Sequence, residues 1–202
     1  MIASLINADI KISGFLNGND PISTANALNQ IGAKIEISNT NVNVLTSAEA
    51  FKSIDDLIDL GNSGTGIRLL SGFISGLGLK AKLTGDESLI KRPMRRVADP
   101  LTLMGADISI ADSGTPPIQI NPGSIKDDYV YEMPISSAQV KSSILLAALG
   151  SDTETKITEK VTSRDHSEIM LKNIGVDITT DGRSIIVAPC NKFLPLDIHI
   201  PA

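Results

Sequence analysis

A chain of 202 residues with 42% apolar and 20% charged side chains is long enough for one good core or two small domains, and reads as a soluble globular protein. Aromatics are only 3%, with no tryptophan, which makes the core aliphatic and argues against base-stacking platforms for single-stranded nucleic acid. A net charge of −5 argues equally against a nucleic-acid partner and an anionic membrane surface.

Residues 1–7 are small and apolar, like the last turns of a helix without a beginning. A strand follows over 9–14. Asp20 and Pro21 open a helix, with Asp20 as cap and Pro21 at the first helical position, and Gly32 closes it. Strands are expected over 33–37 and 42–45. A glycine-rich stretch, Gly61-Asn62-Ser63-Gly64-Thr65-Gly66, then feeds a helix over 65–78, with Leu70, Phe73, Ile74 and Leu77 at helical spacing. Next come a strand over 80–85, a helix from Arg92-Pro93 to Met104-Gly105, and strands over 106–110 and 118–120. The last third holds a helix over 136–149, a strand over 155–159 and a helix over 163–174 closed by Gly175. Strands over 176–179 and 184–187 are joined by the hairpin turn Asp181-Gly182. No apolar run is long enough to span a bilayer. Asp9 interrupts the only apolar start, so no signal peptide is read there. A lone Cys190 gives no disulfide framework and suits a reducing, cytoplasmic setting.

This order repeats. Lys11-Ile12-Ser13-Gly14 matches Lys82-Leu83-Thr84-Gly85 and Lys156-Ile157-Thr158-Glu159. Ile31-Gly32-Ala33 matches Met104-Gly105-Ala106 and Ile174-Gly175-Val176. The chain therefore reads as one α/β (α+β) domain over 1–202, built of three βαβαββ units with inner helices and outer sheets. The units run approximately over 1–46, truncated at its start, 47–120 and 121–190. Leu196-Asp197-Ile198-His199-Ile200-Pro201 resembles Val130-Tyr131-Glu132-Met133-Pro134, which opens the third unit. A fourth unit is thus expected to begin within 191–202, and the chain reads as a piece of a longer protein.

The chemistry is concentrated at helix starts. Five of the six arginines sit in or next to such signals, and the first 67 residues contain none. Gly64 and Gly66 admit an anion to free backbone N–H groups, with Arg68 one turn in. Those residues fit equally a plain helix start capped by Asn62 or Ser63. Lys91, Arg92, Arg95 and Arg96 crowd another start, where cations oppose the macrodipole unless an anion or carboxylate answers them. Ser136, Ser137 and Gln139 open the next helix with groups suited to a hydroxylated, phosphorylated ligand, or simply with a cap. Ser163-Arg164-Asp165-His166 is sequential on one turn and lacks a nucleophile elbow, so it is no hydrolase triad. With only two histidines, His166 and His199, and no repeated ligand spacing, no metal site is expected.

Four motifs together resemble the 5-enolpyruvylshikimate-3-phosphate synthase family. They are residues 61–68, 85–94, 137–142 and 163–171, in order over nearly the whole chain. The second and fourth separate it from the related UDP-N-acetylglucosamine enolpyruvyl transferases. The resemblance implies one domain, the N-terminal one, of a two-domain inside-out α/β barrel with its active site in the cleft between domains. It implies transfer of the enolpyruvyl group of phosphoenolpyruvate to the 5-hydroxyl of shikimate 3-phosphate, releasing phosphate, without metal or organic cofactor. By motif, Arg92 corresponds to a ligand of the phosphoenolpyruvate phosphate. Asn62, Gly64 and Thr65 correspond to the loop beside it, where the herbicide glyphosate also binds in the family, and Arg68 to a support of that loop. Ser137, Ala138, Gln139, Ser163 and Arg164 correspond to shikimate 3-phosphate contacts. The family's early Lys-Ser…Arg motif and the second domain's acidic and basic catalytic residues have no counterpart in this sequence. No catalytic residue is therefore expected among the 202, and the missing domain is the expected partner. The alternatives from other classes are a non-catalytic anion-binding module and a purely structural repeat protein.

Overall fold

The computed structural model describes residues 1–45 and 48–200. The expected boundary between the first two units, at 46–47, and residues 201–202 lie outside them. The second unit supplies β4 (Leu57–Asp59), α2 (Gly64–Gly76), β5 (Ala81–Thr84), α3 (Arg95–Leu103), β6 (Asp107–Ile110) and β7 (Ile118–Asn121). The third repeats this with β8 (Val130–Glu132), α4 (Ala138–Ala148), β9 (Thr155–Thr158), α5 (His166–Asn173), β10 (Ile178–Asp181) and β11 (Ser184–Val187). The first supplies β1 (Ile10–Ser13), α1 (Asn19–Gln30), β2 (Ile35–Ser38) and β3 (Asn41–Val44), preceded by a 3-10 turn at Ile2–Leu5.

Each unit makes a four-stranded sheet of the same order: β4-β5-β7-β6 and β8-β9-β11-β10. In each the first pair is parallel and the others antiparallel. The first sheet reads β12-β1-β3-β2, where β12 is Ile198–His199. That segment, expected to open a fourth unit, lies parallel to β1 with Ile12 opposite Ile198. It fills the place that β4 and β8 take in their own sheets. Asp197 fastens it by accepting from the backbone N–H of Lys11 at 2.9 Å.

Strand residues alternate between core and solvent, as in β3 and β5, so each sheet has one wet face. The helices lie inside. On α4 every residue from Val140 to Ala148 is buried, and α2 is buried over most of its circumference. A helix buried on every side is an inner one, and the polar Lys141, Ser142 and Ser143 that α4 carries there each have partners. The two helices pack along their lengths, and a methyl group on Gly72 would stand 1.9 Å from the carbonyl oxygen of Ser143. Only glycine permits this approach. Phe73 meets Phe51 edge-on at 5.3 Å and Tyr129 stacks on Tyr131 at 6.1 Å; most of the remaining core is aliphatic. Among the described residues no helix is long and apolar enough to cross a membrane.

Three helix starts differ from the sequence reading. Helix α1 begins at Asn19, capped by Gly18 without a side-chain bond, so Asp20 is a first-turn acid rather than the cap. Arg92 is extended at φ −81°, ψ 139°, the conformation a following proline imposes, and α3 starts only at Arg95. Helix α5 starts at His166, which leaves Ser163 and Arg164 in the segment ahead of it.

Candidate functional site

Ser63 caps α2, its Oγ accepting from the N–H of Gly66 at 3.1 Å. The space beside Gly64 is filled by guanidinium groups. A methyl group there would stand 2.6 Å from Arg92 Nη1 and 3.2 Å from Arg68 Nη1. The close approach that the sequence offers to an anion is thus taken up by the cations that would bind one.

Arg92 donates to the carbonyl of Asn62 at 3.3 Å, to the Asn62 side-chain oxygen, and to Ser88 Oγ at 3.3 Å. Asn62 Nδ2 donates in turn to Asp86 Oδ2 at 2.8 Å. That bond, followed by the N–H of Leu89, holds the Asp86 carboxyl below the ordinary carboxylate range, against a small opposing effect of desolvation. Asp86, Asn62 and Arg92 form an exposed relay from acid to cation.

Arg68 joins three segments. It donates to the Gly64 carbonyl at 3.0 Å, to Gln139 Oε1 at 3.1 Å and to the Pro93 carbonyl at 3.3 Å. Half-burial lowers its pKa, and repulsion from Arg92 and Arg96 adds to the shift. Gln139 answers by donating to Thr65 Oγ1 at 2.8 Å, so the starts of α2 and α4 are stitched together. Ser137 caps α4, accepting from the N–H of Val140 at 3.5 Å.

Beside this stitch lies a cleft of about 240 Å³. Thr65 and Leu69 line it from α2, Ala138, Gln139 and Ser142 from α4, and Arg164, His166 and Ser167 from around the start of α5. Four residues singled out in the sequence, Thr65, Ala138, Gln139 and Arg164, therefore meet at one cavity. Arg164 has no hydrogen-bond or ion-pair partner among the described residues. No carboxylate lines the cleft. Hydroxyls, an amide and an open guanidinium are a set chemically suited to hydroxyl and phosphate groups. Asn62, Gly64 and Arg92 stand apart from this lining and connect to it through Arg68. Ser163 turns the other way: its N–H donates to Glu159 Oε2 at 3.3 Å, and its Oγ is buried without a partner.

Sequence reasoning passed over Leu69 and Ser142. Leu69 lies four residues after Thr65 and Ser142 four after Ala138, so helical spacing sets each on the face of a residue already chosen. It also passed over a buried ion cluster. Lys141 Nζ meets Glu159 Oε2 at 2.9 Å and Glu168 Oε1 at 2.5 Å, with side chains 1%, 1% and 6% exposed. Nothing local in the sequence marks these three as neighbours.

A family model described as EPSP synthase (3-phosphoshikimate 1-carboxyvinyltransferase) matches residues 1–202. The chain belongs to the EPSP synthase family. A 3-phosphoshikimate 1-carboxyvinyltransferase of Thermodesulfovibrio yellowstonii is 45% identical over 205 residues, covering 100% of this chain and 47% of the relative. One from Ruthia magnifica is 41% identical, covering 100% of this chain and 46% of the relative. A solved structure of EPSP synthase from Acinetobacter baumannii superposes with a TM-score of 0.94 at 39% identity, over 100% of this chain and 46% of that one. The repeated sheets and inner helices are thus those of a domain of the EPSP synthase fold. The chain spans about half the length of the curated relatives it matches.

Proposed function

We propose that this chain is the substrate-binding N-terminal domain of an enzyme that moves the enolpyruvyl group of phosphoenolpyruvate to the 5-hydroxyl of shikimate 3-phosphate. The single observation that carries the reading is the carboxylate-free cleft where Thr65, Ala138, Gln139 and the open Arg164 converge. In this assignment Ser137, Ala138, Gln139, Ser163 and Arg164 serve shikimate 3-phosphate, with Ser163 contributing by anchoring the backbone ahead of Arg164 to Glu159. Arg92 holds the phosphate of phosphoenolpyruvate, Asn62, Gly64 and Thr65 form the loop beside it, and Arg68 keeps the two sets in register.

The reaction balances as addition and elimination. The 5-hydroxyl oxygen bonds to C2 of phosphoenolpyruvate and loses its proton to a base, while C3 gains a proton. The tetrahedral intermediate then loses a C3 proton and expels phosphate, which restores the double bond. This chain contributes binding and orientation. The groups that move the protons belong to the remaining half of the enzyme, which closes over the same face. A reducing cytoplasm suits the lone Cys190.

Titration of the purified chain with shikimate 3-phosphate, followed by calorimetry and by amide shifts, tests the reading. Saturable binding with shifts at Gln139 and Arg164 is expected. A folded chain that shows neither heat nor shifts rejects it.

A further inference from the structure

The mechanism leaves the buried cluster of Lys141, Glu159 and Glu168 without a task, and its placement suggests one. Glu159 ends the strand side and Glu168 lies on α5, so the two carboxylates bracket the segment that carries Ser163 and Arg164. Lys141 lies on α4, two residues beyond Gln139. Glu159 Oε2 accepts from Lys141 Nζ and also from the N–H of Ser163. Ser136 Oγ, just ahead of α4, accepts from the N–H of Val161 at 2.7 Å, and Ser142 Oγ bonds Ser167 Oγ at 2.7 Å. These ties run back to α4 and its start, while on the other side Arg183 Nη1 donates to the Lys160 carbonyl at 2.9 Å. The cluster also carries one more negative than positive charge, and Glu159 Oε1 and Glu168 Oε2 have no partner. A buried cluster of this kind is a poor source of stability against an apolar replacement. Its geometry serves placement instead.

We propose that Lys141 is a positioning residue: its one buried ammonium, bonded to carboxylates on both sides of residues 160–165, sets Arg164 across the cleft from Ala138 and Gln139. The ligand part of this proposal rests on the shikimate 3-phosphate reading; the ordering of the segment does not.

The test begins with backbone order in the ligand-free chain. Glu159→Met leaves Lys141 and Glu168 as a balanced pair but removes the acceptor of the Ser163 N–H. Order parameters over 160–165 are expected to fall from about 0.85 to below about 0.6, while residues 62–66 stay rigid. Glu159→Gln keeps an acceptor and is expected to restore the order. Lys141→Met strands two buried carboxylates; where it fails to fold, the neutral variant Lys141→Met with Glu159→Gln and Glu168→Gln replaces it and is expected to loosen the same segment. Affinity for shikimate 3-phosphate is expected to drop about tenfold or more in each loosened variant. A segment that stays rigid in both Glu159→Met and the folded Lys141 variant overturns the proposal, whatever the ligand does. A segment that loosens in a chain that never binds shikimate 3-phosphate upholds the placement and rejects the functional reading instead.

Discussion

The starts of α2 and α4–α5 solve one problem in opposite ways. Around the start of α2, placement is exposed: Arg92, Asn62, Asp86 and Ser88 hold one another through bonds that solvent can reach. Ahead of α5, placement is buried: the N–H of Ser163, next to the open Arg164, goes to Glu159, which in turn meets Lys141. An exposed network can give way cheaply when a ligand replaces its bonds. A buried ion cluster cannot, since either partner left alone is an uncompensated buried charge. The first face is thus built to exchange partners and the second to keep a shape.

If either face sufficed for chemistry, the comparison would be about catalysis rather than binding. The chain alone is expected to give no phosphate release above background when supplied with both substrates, and turnover should appear only when the remaining half of the enzyme is added. Orienting two substrates between closed domains is worth on the order of 7–11 kcal/mol. Robust turnover by the 202-residue chain would place the chemistry on one of these faces and end the division proposed between binding and proton transfer.

Both faces hang on the seam between α2 and α4, so widening it should move them together. A methyl group at Gly72 meets backbone, the Ser143 carbonyl, and no side chain can swing aside. Gly72→Ala is expected to cost about 3 kcal/mol, at the upper end for overpacking. That corresponds to a fall in Tm of roughly 6–12 °C for a chain of this size. It should also break the Gln139–Thr65 bond. A Tm within a degree of the parent chain's would mean that the seam is looser than drawn.

Much of this arrangement could be read from the sequence, and the reason is repetition. The patterns of Lys11-Ile12-Ser13-Gly14 and Ile31-Gly32-Ala33 recur in register, so three weak local signals support one another, and the apolar run from Ile144 to Leu149 marks α4 as an inner helix. The helix starts at Thr65 and Ser137 were legible because glycine and serine act on their nearest neighbours. The starts at Arg92 and Ser163 were not. Pro93 holds Arg92 extended, and Glu159 reaches over from the end of β9 to claim the Ser163 N–H. The place of β12 was equally hidden, since its resemblance to the opening strand of another unit says what it is and not which sheet it joins.

Single arginines separate the two faces more gently. Arg164→Ala is expected to weaken shikimate 3-phosphate binding by about ten- to a hundredfold, the range for a hydrogen bond to a charged group, and to leave the chain's stability unchanged. Arg92→Ala should spare shikimate 3-phosphate affinity and instead lower that for inorganic phosphate at the loop, read from the amide shifts of Asn62 and Thr65. Equal losses of both ligands in both variants would merge the faces into one site.

The smallest effect tests whether the exposed relay is a relay at all. The Asn62 bond holds the Asp86 carboxyl below its ordinary value of 3.8. With the folded value depressed, the stabilisation is complete above 3.8 and is lost as the pH falls through the lowered value. The Asp86 carboxyl carbon, followed by NMR, should therefore titrate below 3.8, and Asn62→Ala should move the midpoint back toward it. At neutral pH, Asp86→Asn should loosen Asn62, and with it Arg92. Phosphate affinity at the loop then falls only roughly two- to fivefold, because solvent screens an exposed contact. The buried face should not respond: shifts from Ser163 and Arg164 are expected to stay in place in both variants. If they move, the two faces are coupled through Arg68 and Gln139, whose side-chain bonds join the starts of α2 and α4. Replacing Gln139 by Leu would then have to abolish the response.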